Sequence, residues 1–135
     1  AHEPTGVRGL VHAGWRGASA GILAQAVAAM ENAGAVASEL SAFLGPCIEQ
    51  DCYEVGPEVR RQFDADLARV NDQGGYQLDM RAAISRQLAQ AGMPLEQISV
   101  SEVCTRCDMS CHSYRRDGAQ AGRMMAFYYD HAAVA

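Results

Sequence analysis

The chain has 135 residues, a net charge of −5, 49% hydrophobic residues and no lysine. This length suffices for one domain with a hydrophobic core, and the negative charge argues against nucleic acid as a partner. The missing lysine excludes lysine Schiff-base chemistry and a P-loop lysine within these residues. No stretch is typical of a signal peptide or a membrane span, and five cysteines, an odd number, predict free thiols in the cytoplasm.

The first part of the chain predicts a strand, a helix and a second strand. Residues 6–11 are largely apolar and predict the first strand. Residues 18–33 carry apolar side chains at helical spacing, and Gly34 is suited to end that helix. Residues 40–44 predict a second short strand, which Gly45-Pro46 ends.

Two further helices are predicted in the middle of the chain. Residues 57–70 form a helical pattern with a proline in the first turn. Asp79 is expected to cap a helix that runs to Ala91 and stops at Gly92. The apolar side chains that we expect to face the core in these helices are Val59, Phe63, Leu67, Val70, Met80, Ile84, Leu88 and Ala91.

The last part predicts two strands joined by a long loop. Residues 97–103 alternate as a strand does, and the continuously apolar run 123–129 predicts a central strand. The loop 104–122 between them is long enough to be functional. This order of elements predicts a single domain over 1–135 of the α/β (or α+β) class, with a layered arrangement of mixed β-sheet covered by helices.

The segment Val11-His12-Ala13-Gly14-Trp15-Arg16-Gly17 lies where the first predicted strand gives way to a helix. Free N–H groups of helix starts make such junctions common ligand sites in α/β folds. His12 could bind a metal or act as a general base, and Arg16 offers a fork for an anion. A histidine beside an apolar strand can instead be a buried structural residue. His2 and His131, near the termini, are expected to be solvated.

Four candidate zinc ligands lie in the loop: Cys104, Cys107, Cys111 and His112. All four fall within nine residues, whereas structural zinc sites usually join two separated ligand pairs. The CxxC spacing also occurs in redox pairs, although no helix start follows it here. A metal site, a redox pair and a purely structural loop therefore all remain open.

Two other places carry reactive side chains. Arg115 and Arg116 could clamp a phosphate or carboxylate, or one of them could pair with a neighbouring acid beside the Asp117-Gly118 turn. Cys47 follows Gly45-Pro46 at a strand end and could be a nucleophile. Cysteines in such apolar runs are more often core residues.

Several of these segments resemble one family. They are VHAGWRG at 11–17, LGPCIEQDCYEVGPEV at 44–59, Leu78-Asp79, CTRCD at 104–108 and SYRRDGAQAGRM at 113–124. In order and spacing they are similar to the YfiH-like laccase-domain family, also called multicopper polyphenol oxidase domain proteins. The chain departs from the family at Cys111-His112, where an aromatic pair is usual.

This resemblance implies a layered α/β fold and a metal-dependent purine nucleoside phosphorylase. Its substrates would be adenosine, inosine or methylthioadenosine with phosphate, and it would also deaminate adenosine. The family site binds zinc, or copper, through two histidines and a cysteine, of which only one histidine maps here, onto His12. The resemblance thus implies a C-terminal portion of a longer domain, with the other ligands upstream of Ala1 and no activity in this portion alone. His12 and Arg16 are our candidate catalytic residues. Arg16 is our candidate for binding phosphate or for organising the site, and Arg115 is a second for binding substrate.

Three other functions remain open. A cysteine hydrolase would use Cys47, or an upstream cysteine, with His12 as its base. A copper-dependent polyphenol oxidase would match the family's older label. A non-enzymatic alternative is a small interaction module that holds zinc in the loop 104–112.

Overall fold

Two small sheets and several helices form the part of the chain that the computed structural model describes, residues 1–128. Strands β1 (Ala42–Leu44) and β5 (Ile98–Val100) pair in parallel. Strands β2 (Glu54–Val55), β3 (Ala68–Val70) and β4 (Tyr76–Leu78) form an antiparallel sheet with β4 in the middle. This arrangement confirms the predicted α/β class and divides the expected mixed sheet into a parallel and an antiparallel part.

The first predicted helix is two helices. Helix α1 (Trp15–Ser19) begins before the predicted start, and α2 (Ile22–Asn32) follows it after a break. The break falls at Gly21, whose φ of 76° is left-handed and cannot continue a helix. Gly34, with a φ of 98°, comes just after α2, as predicted.

Helix α4 (Met80–Gln90) agrees closely with its prediction. The Asp79 carboxylate caps it by accepting a hydrogen bond from the Ala82 N–H at 2.9 Å. Gly92, with a φ of 97°, follows its end. Met80 and Leu88 are buried as expected.

The predicted helix 57–70 is wrong beyond its first turn. Helix α3 covers only Pro57–Arg60, a 3₁₀ turn spans Ala65–Leu67, and β3 follows at once. The apolar spacing does not require a helix, because Leu67, at the end of the 3₁₀ turn just before β3, is buried in an apolar cluster as well. Val70, the last residue of the predicted stripe, is 66% exposed.

The ends of the chain also differ from their predictions. Residues 6–11 form no strand, only an isolated bridge between Val7 and His2. The strand 97–103 shrinks to β5, and the loop 104–122 contains helix α5 (Tyr114–Asp117) and a 3₁₀ turn.

The predicted central strand 123–129 is absent as far as residue 128, and its last residue lies outside the described range. Met125 and Phe127 there are 86% and 77% exposed, since no strand within 1–128 pairs with this run. Within the same range, no helix combines the length and apolar character that crossing a membrane requires.

Helix α4 holds two apolar clusters together. Ile84, on this helix, packs against both of them. The first apolar cluster lies by the antiparallel sheet and consists of Ala18, Val55, Val59, Phe63, Leu67, Leu78, Met80 and Ala83. The second lies against α2 and consists of Leu23, Val27, Ala35, Leu40, Leu88 and Met93. The first cluster positions the candidate site, because Trp15 and Tyr53 both pack on it.

His2 is a buried residue, contrary to the prediction that it is solvated. It is only 1% exposed, because the bridge to Val7 folds the N-terminus over it. Its two ring nitrogens lie 2.6 Å from the Thr5 hydroxyl and 3.0 Å from the Glu39 carboxylate. His131 lies outside the described residues.

Candidate functional site

His12 stands exposed just before helix α1. Gly14 leaves room for its ring, since a Cβ at that position would lie 3.1 Å from the His12 Nε2 atom. No hydrogen bond to His12 is formed within residues 1–128. Its ring nitrogens are therefore open to a ligand, and the structure does not support a buried structural role.

Arg16 is held against the only tryptophan. Its guanidinium lies 4.4 Å from the centre of the Trp15 ring, a cation–π contact. Trp15 is half-buried on the first apolar cluster, whereas Arg16 is exposed. The stacking orients the arginine and leaves its N–H groups accessible to an anion.

Tyr53 lies against the second predicted anion-binding residue, Arg115, and within the electrostatic reach of Arg16. The Arg115 guanidinium lies 5.2 Å from the Tyr53 ring centre and donates to the Glu54 carbonyl at 2.6 Å. Burial raises the pKa of Tyr53, and the charges of Arg115 and Arg16 partly oppose that rise. The phenol is therefore protonated at neutral pH and can donate a hydrogen bond.

Sequence reasoning did not identify Tyr53, although it lies in the quoted 44–59 segment. A tyrosine between a cysteine and a glutamate has no local signature of function. The structure is what brings the charges of Arg16 and Arg115, which are 99 positions apart in the sequence, near one side chain.

A surface cavity of about 720 Å³ opens on the other side of Arg115. Its lining includes Arg106, Cys52, Glu54 and Tyr76, so it carries charges of both signs. Neither His12 nor Arg16 is among the residues that line it.

Three cysteine sulfurs meet at the edge of this cavity. The Sγ atoms of Cys52, Cys104 and Cys107 all lie within 4.8 Å of one another, and we call this group the three-cysteine cluster. Only Cys104 and Cys107 were among the predicted ligands; the third, Cys52, comes from the 3₁₀ turn Gln50–Cys52. Its Sγ atom lies 3.4 Å from that of Cys107.

The other two predicted ligands of the loop, Cys111 and His112, are not part of the cluster. Cys111 is buried. The ring of His112 lies over Gly122, where an added Cβ would come within 2.6 Å of it. The four predicted ligands of the loop therefore do not come together around one point. Cys52, which is distant in the sequence, supplies the third sulfur of the cluster instead.

The thiols of Cys104 and Cys107 differ in how readily they ionise. Burial disfavours the Cys104 thiolate, but hydrogen bonds from backbone N–H groups, that of Glu49 first, outweigh it and lower its pKa to about 7. The Glu49 nitrogen lies 3.4 Å from the Cys104 sulfur. Hydrogen bonding to Cys52 and then to Cys104 raises the pKa of Cys107 to about 12. These pKa values favour one thiolate in the cluster, at Cys104, and oppose the formation of a second at Cys107.

Arg116 holds the loop in place, whereas its neighbour Arg115 faces outward. The Arg116 guanidinium donates two hydrogen bonds to the Asp117 carboxylate, at 2.8 and 2.9 Å. It also donates to backbone carbonyls of the loop, including those of Cys111 at 2.7 Å and Asp108 at 3.1 Å. Of the two roles predicted for this arginine pair, Arg116 therefore has the structural one, pairing with a neighbouring acid. Binding of an anion stays a prediction for Arg115.

Cys47 lies against Arg81. The Arg81 Nε–H donates to the Cys47 sulfur at 3.2 Å, and another of its N–H groups donates to the Val103 carbonyl at 2.8 Å. No hydrogen bond joins Cys47 to His12 in the described part of the chain. A hydrolase that pairs these two residues stays a prediction.

Comparisons with known proteins place the chain in a family. The family described as multi-copper polyphenol oxidoreductase laccase matches residues 1–129. An adenosine deaminase, RL5, from an unknown prokaryotic organism is 37% identical over 132 residues, which are 92% of this chain and 50% of that protein. Purine nucleoside phosphorylase YlmD from Geobacillus stearothermophilus is 37% identical over 131 residues, 90% of this chain and 48% of that protein.

Solved structures agree with this. The crystal structure of the hypothetical protein YfiH from Bacillus licheniformis matches with a TM-score of 0.73 and 31% identity, over 78% of this chain and 43% of that one. The chain spans about half the length of the curated relatives it matches. From its motifs, its fold and these matches, the chain belongs to the YfiH-like laccase family.

Proposed function

We propose that this chain is part of a metal-dependent purine nucleoside phosphorylase that also deaminates adenosine. Relatives that carry these two names support the proposal. The observation that carries it is the exposed His12 beside the stacked, exposed Arg16, with a second exposed arginine, Arg115, stacked on Tyr53. Purine nucleoside and phosphate are the proposed substrates.

The arginines suit the phosphate that phosphorolysis requires. A guanidinium presents N–H groups in a fixed fork that matches phosphate oxygens. Trp15 orients Arg16 by stacking, and the Glu54 carbonyl fixes one N–H group of Arg115, so both forks are held before phosphate arrives. The protonated Tyr53 hydroxyl adds a neutral donor near Arg115.

His12 fits one position of a metal site. Its imidazole is exposed and forms no hydrogen bond within residues 1–128, as a free nitrogen ligand requires. The one group of three or more metal-ligating side chains among these residues does not include it. We propose zinc, with copper as the alternative, and further ligands from outside this chain. A bound metal of this kind activates water, the chemistry that zinc deaminases use on purine rings.

The proposal is tested in the whole protein that carries this chain, by following adenosine deamination and phosphate-dependent base release separately. We expect Arg16→Ala to raise the KM for phosphate roughly 10-fold, because a charge-assisted hydrogen bond is lost, and to leave deamination unchanged. Arg61→Ala is the matched control, since Arg61 is an exposed arginine that ends α3 away from these contacts.

Two results would contradict the proposal. Equal loss of both activities in Arg16→Ala would remove the phosphate role. Full activity after exhaustive chelation would exclude metal dependence and favour the cysteine hydrolase, which the same assays would then test with Cys47→Ala.

A further inference from the structure

The three-cysteine cluster has the dimensions of a metal site. Zinc binds cysteine sulfur at about 2.3 Å, so tetrahedral geometry places ligand sulfurs about 3.8 Å apart. The Cys52 and Cys107 sulfurs are 3.4 Å apart, and Cys104 lies within 4.8 Å of both. All three are free thiols. Small side-chain adjustments would place the three sulfurs around one ion.

The backbone that carries these sulfurs is also suited to a metal site. Such sites bring together ligands from separate parts of the chain, and here Cys52 is 55 residues from Cys107. The CxxC turn is closed by the Cys104 carbonyl, which accepts from the N–H groups of Cys107 at 3.1 Å and Asp108 at 2.9 Å. Backbone pairing between Cys104 and Cys47 attaches this turn to the rest of the fold.

Groups around the ligands hold them in place. The Glu49 N–H points at the Cys104 sulfur, a hydrogen bond that stabilises a thiolate ligand. Arg116 holds the carbonyls of Arg106 and Asp108, which flank Cys107. The cluster therefore has an outer layer of hydrogen bonds of the kind that orients metal ligands.

We propose that Cys52, Cys104 and Cys107 form a zinc site separate from the one that includes His12. Three thiolates in this volume repel one another, and a divalent cation removes that repulsion. Cys104 is buried while Cys107 is exposed, so the fourth position faces solvent and takes a water molecule. The ion joins the turn after β5 to the 3₁₀ turn before Tyr53.

The site is tested by metal binding in the reduced whole protein carrying His12→Ala, which disables the proposed catalytic site. Cobalt serves as the spectroscopic probe, and zinc is then added in competition. We expect one equivalent of cobalt with sulfur-to-metal charge-transfer absorption, displaced by zinc. Cys52→Ser and Cys107→Ser should each weaken zinc binding by roughly 100-fold or more.

Two further variants separate ligand loss from unfolding. Cys47→Ser removes a neighbouring thiol outside the cluster and should bind zinc as the parent does. Cys107→His replaces one zinc ligand by another and should restore cobalt binding with a changed spectrum. Unchanged zinc affinity in Cys52→Ser and Cys107→Ser, or no thiolate–cobalt absorption in the parent, would overturn the proposal. Because the readout is metal binding, its failure is distinct from a failure of the proposed enzyme activity.

Discussion

The segment around His12 and the three-cysteine cluster differ in how many ligands each gathers. His12 is one exposed imidazole beside a stacked arginine, and within residues 1–128 it belongs to no group of three or more metal-ligating side chains. The cluster gathers three sulfurs and an outer layer of hydrogen bonds. The motif that identifies the family thus contributes one candidate metal ligand within these residues. The three cysteines, which have no established role in the family's site, contribute three.

The largest effect that separates the two regions is expected from His12→Ala. Loss of a metal ligand should lower both deamination and phosphorolysis by about 100-fold or more in the whole protein. Zinc bound by the three-cysteine cluster should stay, since His12 is not part of it. Activity assays and metal analysis on the same preparation check both halves. Retained activity would remove His12 from the site, and complete loss of zinc would show that the two regions are one.

Zinc should stabilise the fold through the cysteine cluster. A ligand present at 100 times its Kd stabilises the native state by about 2.7 kcal/mol. In the His12→Ala background we therefore expect zinc to raise the free energy of unfolding by about that amount, measured by urea denaturation under reducing conditions. The same addition should do nothing in the Cys52→Ser variant. An equal gain in both would place the stabilising ion elsewhere.

The contrast between adjacent arginines offers a finer test. Arg116→Ala removes no ligand but frees the loop that carries Cys104 and Cys107, so zinc affinity should fall about 10- to 100-fold. Arg115→Ala is the matched control, because that side chain faces Tyr53 and should leave zinc affinity unchanged. Competition with a chromogenic chelator measures both. The same response in the two variants would mean that Arg116 has no special hold on the cluster.

Local signals in the sequence predicted the elements that depend on local interactions. Helix α4 is one example, because Asp79 caps its first turn and Gly92 follows its last. The failure at 57–70 has the opposite cause. Arg69 pairs with Gln77 of β4 in the antiparallel sheet. The spacing of apolar residues within 57–70 carries no information about that partner. Strand pairing is set by distant partners, and apolar spacing alone fits a helix equally well.

The sites follow the same rule. His12 and Arg16 could be named as candidates from the sequence, since their signal is a helix start within seven residues, 11–17, although the strand predicted before it at residues 6–11 is absent; their roles stay predictions. The place of Cys52 in the cluster could not be predicted, because its partners lie more than 50 residues away and its own neighbours carry no ligand spacing. Adjacent Cys111 and His112 suggested a site by spacing alone, yet the loop turns them away from the other sulfurs.

The smallest expected effect is at Tyr53, where the two regions come closest along the chain, since Cys52 precedes it. Tyr53→Phe removes one neutral hydrogen-bond donor and should raise the KM for phosphate roughly 3- to 10-fold, without changing deamination or zinc binding.

Burial raises the pKa of Tyr53 above its ordinary value of 10.0, so the hydroxyl is a donor at all lower pH values. The parent's phosphate affinity should therefore hold through pH 9 and weaken only once the pH exceeds that raised pKa. The Tyr53→Phe variant should not show this weakening of phosphate affinity at high pH. If the parent and the variant showed the same pH profile and the same KM, the tyrosine would only pack against Arg115.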